Sequence, residues 1–286
     1  MNNEDFALLS RIVHERSGLA LKPEKAYLFE TRLPPVAQKL GLADLGALIA
    51  LLRRGGQAAA EVAVTEAMTT NETFFFRDSK PFEQFRRITL PNLIAARAAK
   101  KHLRIWCAAA STGQEPYSLA MILAEERARL AGWRVEIVAT DISQEMITRA
   151  KDALYSQFEV QRGLPVQYLM RYFTQTGERW RVKDEIRAAV HYRPFNLLED
   201  PTALGSFDVV FCRNVLIYFE LATKQRVLER VAGRMPSDGQ LFLGASETVV
   251  GVSARFEPVP SETGLYRPAA PQRPATVARS SLAGCC

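Results

Sequence analysis

No run of apolar residues in this chain of 286 approaches the roughly 20 residues needed to span a bilayer. Nor do Met1-Asn2-Asn3-Glu4-Asp5 carry the basic and apolar regions of an export signal, so a cytoplasmic protein without membrane insertion is expected. Histidine and cysteine are sparse. His14, His102 and His191 are scattered, Cys107 and Cys212 sit in apolar strand-like runs, and Cys285 and Cys286 close the sequence. None shows metal-ligand spacing, and no metal site is expected. Glycine is missing where a dinucleotide loop needs it: Gly113 stands alone in the strand-to-helix loop of the right character, so the G-x-G-x-x-G fingerprint is absent and a nicotinamide cofactor is disfavoured. The basic excess, a net charge of +6 with a pI near 9.2, lacks a concentrated tract. It would suit nucleic acid, an anionic membrane or an acidic protein. No aromatics interleave with Arg86, Arg87, Arg97, Lys100, Lys101 and Arg104, however, and these read as the solvated face of a helix.

With 48% apolar and 24% charged residues, the chain can bury a sizeable core, either as one large domain or as a core with a smaller companion. Residues 1–70 read as a helical domain, because apolar residues recur at helical spacing in Phe6, Leu8, Leu9, Ile12 and Val13 and again in Leu42, Leu45, Leu48, Ile49, Leu51 and Leu52. Residues 71–102 form a linker and a basic helix from about Pro81 to Lys100. From 103 to 267 strands and helices alternate, which predicts an α/β fold with a mostly parallel sheet covered on both faces. The predicted strands are 103–107, 135–140, 189–192, 207–212, 240–243 and 265–266. Between 160 and 188 the pattern changes. Tyr168-Leu169-Met170-Arg171-Tyr172-Phe173 and Trp180-Arg181-Val182 bracket Thr176-Gly177, which predicts a hairpin in a small antiparallel β insertion. Residues 268–286 read as a disordered tail.

The chemistry should lie where the strands end. From Ile105 to Ser118 an apolar strand runs into small residues and then a helix opening; small side chains let backbone N–H groups approach a ligand, and Glu115-Pro116 suit a first helical turn. Asp141 ends the next strand. A carboxylate there can accept two hydrogen bonds from a vicinal diol and so orient a nucleoside, although it could equally cap the helix beginning near Ser143. Thr70-Asn71-Glu72-Thr73-Phe74-Phe75-Phe76-Arg77-Asp78 crowds polar groups against three aromatics, which suits core packing as well as a site. Phe195-Asn196-Leu197-Leu198 follows the third strand and Arg213-Asn214-Val215-Leu216-Ile217-Tyr218-Phe219 the fourth. Ligands of open α/β sheets sit at the carboxyl ends of strands, so four such ends are expected to converge on one crevice.

The order and spacing of these blocks, together with Gly244-Ala245-Ser246-Glu247, resemble the chemotaxis receptor methyltransferases that use S-adenosylmethionine, over residues 5–267. The resemblance implies a class I methyltransferase: a Rossmann-like, mostly parallel seven-stranded sheet, an N-terminal all-helical domain and a small antiparallel β insertion. It implies that Asn71, Thr73 and Arg77 meet the cofactor from the linker, Glu115 contacts its methionine end and Asp141 its ribose. Asn196 with Leu197 would flank the adenine, and Asn214 with Val215 would lie beside the reacting centre. Arg77 and Tyr218 are the implied catalytic positions, Tyr218 at the substrate mouth.

The implied reaction esterifies glutamate side chains on the cytoplasmic helical bundle of a chemoreceptor, giving γ-methyl esters and S-adenosylhomocysteine. Glutamate is already ionised at neutral pH, so no general base is needed and positioning should dominate. Two features depart from the family pattern. The N-terminal helix that carries several basic residues in relatives retains only Arg32 and Lys39, around Pro34-Pro35, so receptor docking through that face is not implied. The turn over 174–179 is short, which points away from tethering by a receptor's C-terminal pentapeptide. A monomer is expected. Alternatives are a methyltransferase acting on another protein carboxylate or small acid, or a non-catalytic cofactor-binding signalling module; the motifs that place a flipped base beside a methyl donor are not evident.

Overall fold

The computed structural model describes residues 1–270, so most of the expected tail, with Cys285 and Cys286, lies outside the described residues. Five helices form the N-terminal domain: α1 (Asn3–Ser17), α2 (Ala26–Arg32), α3 (Pro34–Lys39), α4 (Leu45–Arg53) and α5 (Ala58–Met68). Asn2 caps α1 through its side chain, and Gly18, at φ 78°, ends it by donating to the His14 carbonyl. The apolar stripes meet in a core that includes Leu9, Val13, Phe29, Leu33, Leu48 and Val64. Arg32 is tied into the helical domain. It donates to the carbonyls of Met68 (3.2 Å) and Thr69 (3.0 Å) at the end of α5, where a positive charge offsets the helix dipole.

The linker enters α6 (Lys80–Gln84), a π-helical turn (Phe85–Thr89) and α7 (Leu90–Ala96). Pro91 explains the wide turn, since it offers no N–H and its ring would strike the carbonyl one turn back. The expected solvated basic face is instead largely paired. Arg97 holds Asp208 (2.9 Å) and Asp238 (2.6 Å), Arg86 holds Glu125 (2.6 Å) and Arg87 holds Glu262 (2.9 Å), while Arg104 lies in the first strand and pairs with Glu136 (3.0 Å).

The remaining elements are β1 (His102–Ala108), α8 (Gln114–Glu125), β2 (Arg134–Asp141), α9 (Gln144–Asp152), β3 (Leu154–Ser156), α10 (Gln157–Gln161), α11 (Val166–Tyr172), β4 (Phe173–Thr176), β5 (Arg179–Val182), α12 (Asp184–Arg187), β6 (Val190–Pro194), β7 (Val209–Cys212), α13 (Leu221–Ala232), β8 (Gln240–Leu243), β9 (Phe256–Pro258) and β10 (Leu265–Pro268). Seven strands form the main sheet in the order β6-β2-β1-β7-β8-β10-β9. The first five run parallel, and β10 is antiparallel to both of its neighbours. Side chains alternate along β1: Ile105 and Cys107 enter the core on one face, Trp106 and Ala108 that on the other. Register then sets contacts, as where Phe211 faces Phe242 and the two rings stack at 4.3 Å. The chain leaves β1 towards β2 on one side and later returns to β7 on the other, and at this switch point a crevice opens beyond the strand ends.

The insertion is a three-stranded sheet, β3-β5-β4. Its boundaries differ from those expected. β3 lies before residue 160, and Tyr168 to Tyr172 are helical; those two tyrosines are both buried while Met170 between them is exposed, which is a helical and not a strand pattern. The hairpin proper joins β4 to β5 through Gly177-Glu178.

Candidate active site

A cleft with about 890 Å³ of empty space, its open mouth included, lies over the carboxyl ends of β1, β2, β6 and β7, where open α/β sheets take their ligands. The structure brings together there every position assigned from the sequence: Asn71, Thr73, Arg77, Glu115, Asp141, Asn196, Leu197, Asn214, Val215 and Tyr218 all line it.

The loop after β1 is folded onto the end of β2. Ala109 (φ 82°), Ser111 (φ 49°) and Gly113 (φ 94°) are left-handed, and the N–H groups of Ala109 and Ala110 both donate to the Thr140 carbonyl. A side chain at Gly113 would lie 2.6 Å from the Tyr192 hydroxyl, so glycine is required there on two counts. Asp141 completes the latch: one carboxylate oxygen accepts from the Ser111 N–H (2.8 Å) and the other from the Ser143 N–H (2.9 Å). Ser143, not Asp141, is the N-cap of α9. With about four acceptor positions on a carboxylate, two remain for a ligand. Ser111 also donates its hydroxyl to the Asn71 carbonyl (2.8 Å), tying the loop to the linker.

Two residues absent from the sequence-based site organise the opposite wall. Arg213, directly after β7, has a side chain only 1% exposed and donates to Glu115 Oε2 (2.8 Å), Asp78 Oδ2 (2.7 Å) and the Arg77 carbonyl (2.8 Å). Its Nε is buried without a partner among the described residues. Glu247 accepts four backbone N–H groups, from Gly244 (2.7 Å), Asn214 (2.8 Å), Val215 (3.0 Å) and Ile217 (3.2 Å), and so fixes the turn in which Asn214 sits at φ 58°. Both lie inside blocks that carried the family resemblance. An arginine following a buried apolar strand was the available signal for the first.

The helical domain closes the remaining side. Ser17 and Leu19 line the cleft, the Ala20 N–H donates to the Tyr218 carbonyl (2.9 Å), and Leu19 bridges Phe219. Asn196 donates from Nδ2 to the Arg16 carbonyl (2.6 Å) and accepts from the Leu198 N–H (3.0 Å), so its side chain joins the two domains. Arg77 is held by the Glu72 carbonyl (2.6 Å) and lies over Phe74.

Burial pushes the carboxyls of Asp141 and Glu115 above the ordinary range, Asp141 against the N–H groups it accepts and Glu115 against the attraction of Arg213. A carboxyl raised in the folded state weakens the free fold as pH rises through the interval between its ordinary and raised values. A ligand that needs the ionised form pulls the proton off. Titration calorimetry with S-adenosylhomocysteine should therefore show affinity falling, and protons being released on binding, as pH drops below neutral; a pH-independent Kd would contradict this.

Sheet order, latched loop and acidic strand end define an open α/β sheet with a ligand cleft at its switch point. Residues 71–265 match the family description "CheR methyltransferase, SAM binding domain" and residues 4–69 match "CheR methyltransferase, all-alpha domain". The chain belongs to the CheR methyltransferase family, whose methyl donor is S-adenosylmethionine. It is 43% identical over 272 residues to chemotaxis protein methyltransferase 1 of Pseudomonas aeruginosa, covering 93% of this chain and 98% of that protein. It is 39% identical to chemotaxis protein methyltransferase Cher2 of Pseudomonas putida (92% and 97% covered) and 38% identical to the chemotaxis protein methyltransferase of Vibrio anguillarum (93% and 96%). Among the described residues no helix is long and apolar enough to cross a membrane. The residues present fit the donor: acceptor positions left on Asp141, at the cleft wall, suit ribose hydroxyls.

Proposed function

We propose that the chain transfers a methyl group from S-adenosylmethionine to glutamate side chains on the cytoplasmic helical bundle of a chemoreceptor. The observation that carries this reading is Asp141, a carboxylate latched to the β1 loop with acceptor positions left over, in one cleft with Arg77 and Tyr218. Residues 1–70 would act as the helical domain, 71–102 as the linker and leading helix, and 103–267 as the methyltransferase domain. Asn196 and Leu197 would flank the adenine, Asp141 would take the ribose hydroxyls, and Glu115, Asn71 and Thr73 would address the amino-acid end. Asn214 and Val215 would stand beside the reacting centre. When bound, the donor supplies a sulfonium methyl that passes to a carboxylate oxygen as the sulfur leaves as a thioether. Because the receiving glutamate is ionised at neutral pH, the residues of the chain serve to align it, a contribution of up to roughly 7–11 kcal/mol for well-oriented reactants.

Arg77 would orient a carboxylate through its planar fork, and Tyr218 would border the mouth. In Arg77→Ala, kcat/KM should fall about a hundredfold while the melting temperature stays within about 2 °C, since this half-exposed side chain makes few contacts. Unchanged turnover would remove Arg77 from the mechanism. The two-residue turn between β4 and β5 supports an enzyme independent of pentapeptide tethering; in this reading it works in the cytoplasm as a monomer. The decisive assay incubates the chain with labelled donor and receptor fragments, then locates base-labile methyl esters on glutamate by mass spectrometry; label on another residue type, or none, would overturn the proposal.

A further inference from the structure

We propose that Tyr155, on the small antiparallel sheet, is a positioning residue for the methyl donor, acting through the Thr112 carbonyl of the loop after β1. The inference rests on the reading of the cleft as the donor site. Tyr155 is 2% exposed and donates its hydroxyl to the Thr112 carbonyl at 2.7 Å, from β3 into the middle of the loop. Thr112 stands between two left-handed residues, Ser111 and Gly113, and the peptide that carries its carbonyl also carries the Gly113 N–H, which donates to Ala110 (3.0 Å). A peptide unit is planar, so holding both its oxygen and its N–H fixes its orientation. That in turn sets the path of the neighbouring residues, among them Ser111, which is bonded to Asp141.

The tyrosine is itself held. Its ring meets Phe75 edge to face at 5.0 Å, and Phe75 meets Phe173 of β4 in the same manner at 5.5 Å. Phe75 belongs to the linker that presents Asn71, Thr73 and Arg77 to the cleft. Ala153, at φ 51°, ends α9 and launches β3 into this position. One buried aromatic group thus supports both the loop and the linker, and the small sheet becomes a wall of the donor site. Burial also pushes the Tyr155 phenol well above its ordinary pKa, so the hydroxyl remains a donor at every working pH.

Tyr155→Phe keeps the ring and strips the buried Thr112 carbonyl of this partner, which should loosen the loop. In the full chain, the Kd for S-adenosylhomocysteine and the KM for S-adenosylmethionine should each rise about tenfold. The kcat at saturating donor and the KM for a receptor fragment should stay within twofold. Tyr117→Phe is the matched control: that hydroxyl, equally buried, donates to the Ala150 carbonyl of α9 (2.8 Å) and not to the loop. It should lower the melting temperature comparably and leave Kd within twofold. A wild-type Kd in Tyr155→Phe, or an equal rise in Tyr117→Phe, would overturn the role of Tyr155. Failure of the unaltered chain to bind S-adenosylhomocysteine would instead overturn the reading of the cleft, and this inference with it.

Discussion

Arg213→Met should lower the melting temperature by about 10 °C and leave no measurable methyl transfer. The guanidinium is almost fully enclosed, and removing it strands the buried Glu115 carboxylate without its cation while freeing Asp78 and the Arg77 carbonyl. Breaking a buried ion pair by deleting one partner costs roughly 3–5 kcal/mol, and a kcal/mol is worth roughly 2–4 °C in domains of this size. Loss of stability alone would be a trivial cause of inactivity, so the double variant Arg213→Met with Glu115→Leu is the informative companion. Replacing both charges by apolar groups should restore most of the melting temperature, because no uncompensated charge remains, yet methyl transfer should stay absent since the linker and the helix opening are no longer joined by Arg213. Differential scanning fluorimetry with a labelled-methyl assay checks both halves. A single variant as stable as the unaltered protein would show that the pair is not the tie described here.

Asp141→Asn should weaken S-adenosylhomocysteine binding about a hundredfold. Each hydrogen bond to a charged group is worth roughly 1.5–3 kcal/mol, and a loss of about 2.7 kcal/mol is a hundredfold in Kd. The substitution acts twice. The amide must put its NH₂ in place of one of the two latched oxygens, facing the Ser111 or the Ser143 N–H, which opens the latch and also leaves the ribose hydroxyls with one acceptor group fewer. Calorimetric titration measures the effect, and an unaltered Kd would reduce Asp141 to a loop-latching residue.

The parts of the molecule that could be read from the sequence are those whose determinants are local. The apolar runs ending at Cys107 and at Cys212 predicted β1 and β7, and small residues after a strand predicted the loop; each is explained by contacts within a few residues or across one strand pair. β9 escaped because Phe256-Glu257-Pro258 is too short to display a period. α11 was mistaken for a strand because its aromatic residues favour sheets on average, whereas its helical spacing only matters once Tyr168 and Tyr172 are seen to share a buried face. Long-range pairings were not legible at all. Arg32 caps a helix about 36 residues away in sequence, Arg16 meets Asn196 across the domain boundary, and Ser17 and Leu19 reach the cleft only because the helical domain folds over it. In the site, the motif blocks located the walls, while the roles of Arg213 and Glu247, which hold those walls, rest on partners far away in the sequence.

The central claim is that this cleft holds the nucleoside of S-adenosylmethionine, with its ribose on Asp141 and its methyl facing Arg77 and Tyr218. A crystal of the full chain soaked with S-adenosylhomocysteine tests it most directly. The account predicts density in the cleft with both ribose hydroxyls on the Asp141 carboxylate and the adenine beside Asn196 and Leu197; product bound elsewhere, or a cleft filled by protein at saturating concentration, would contradict it.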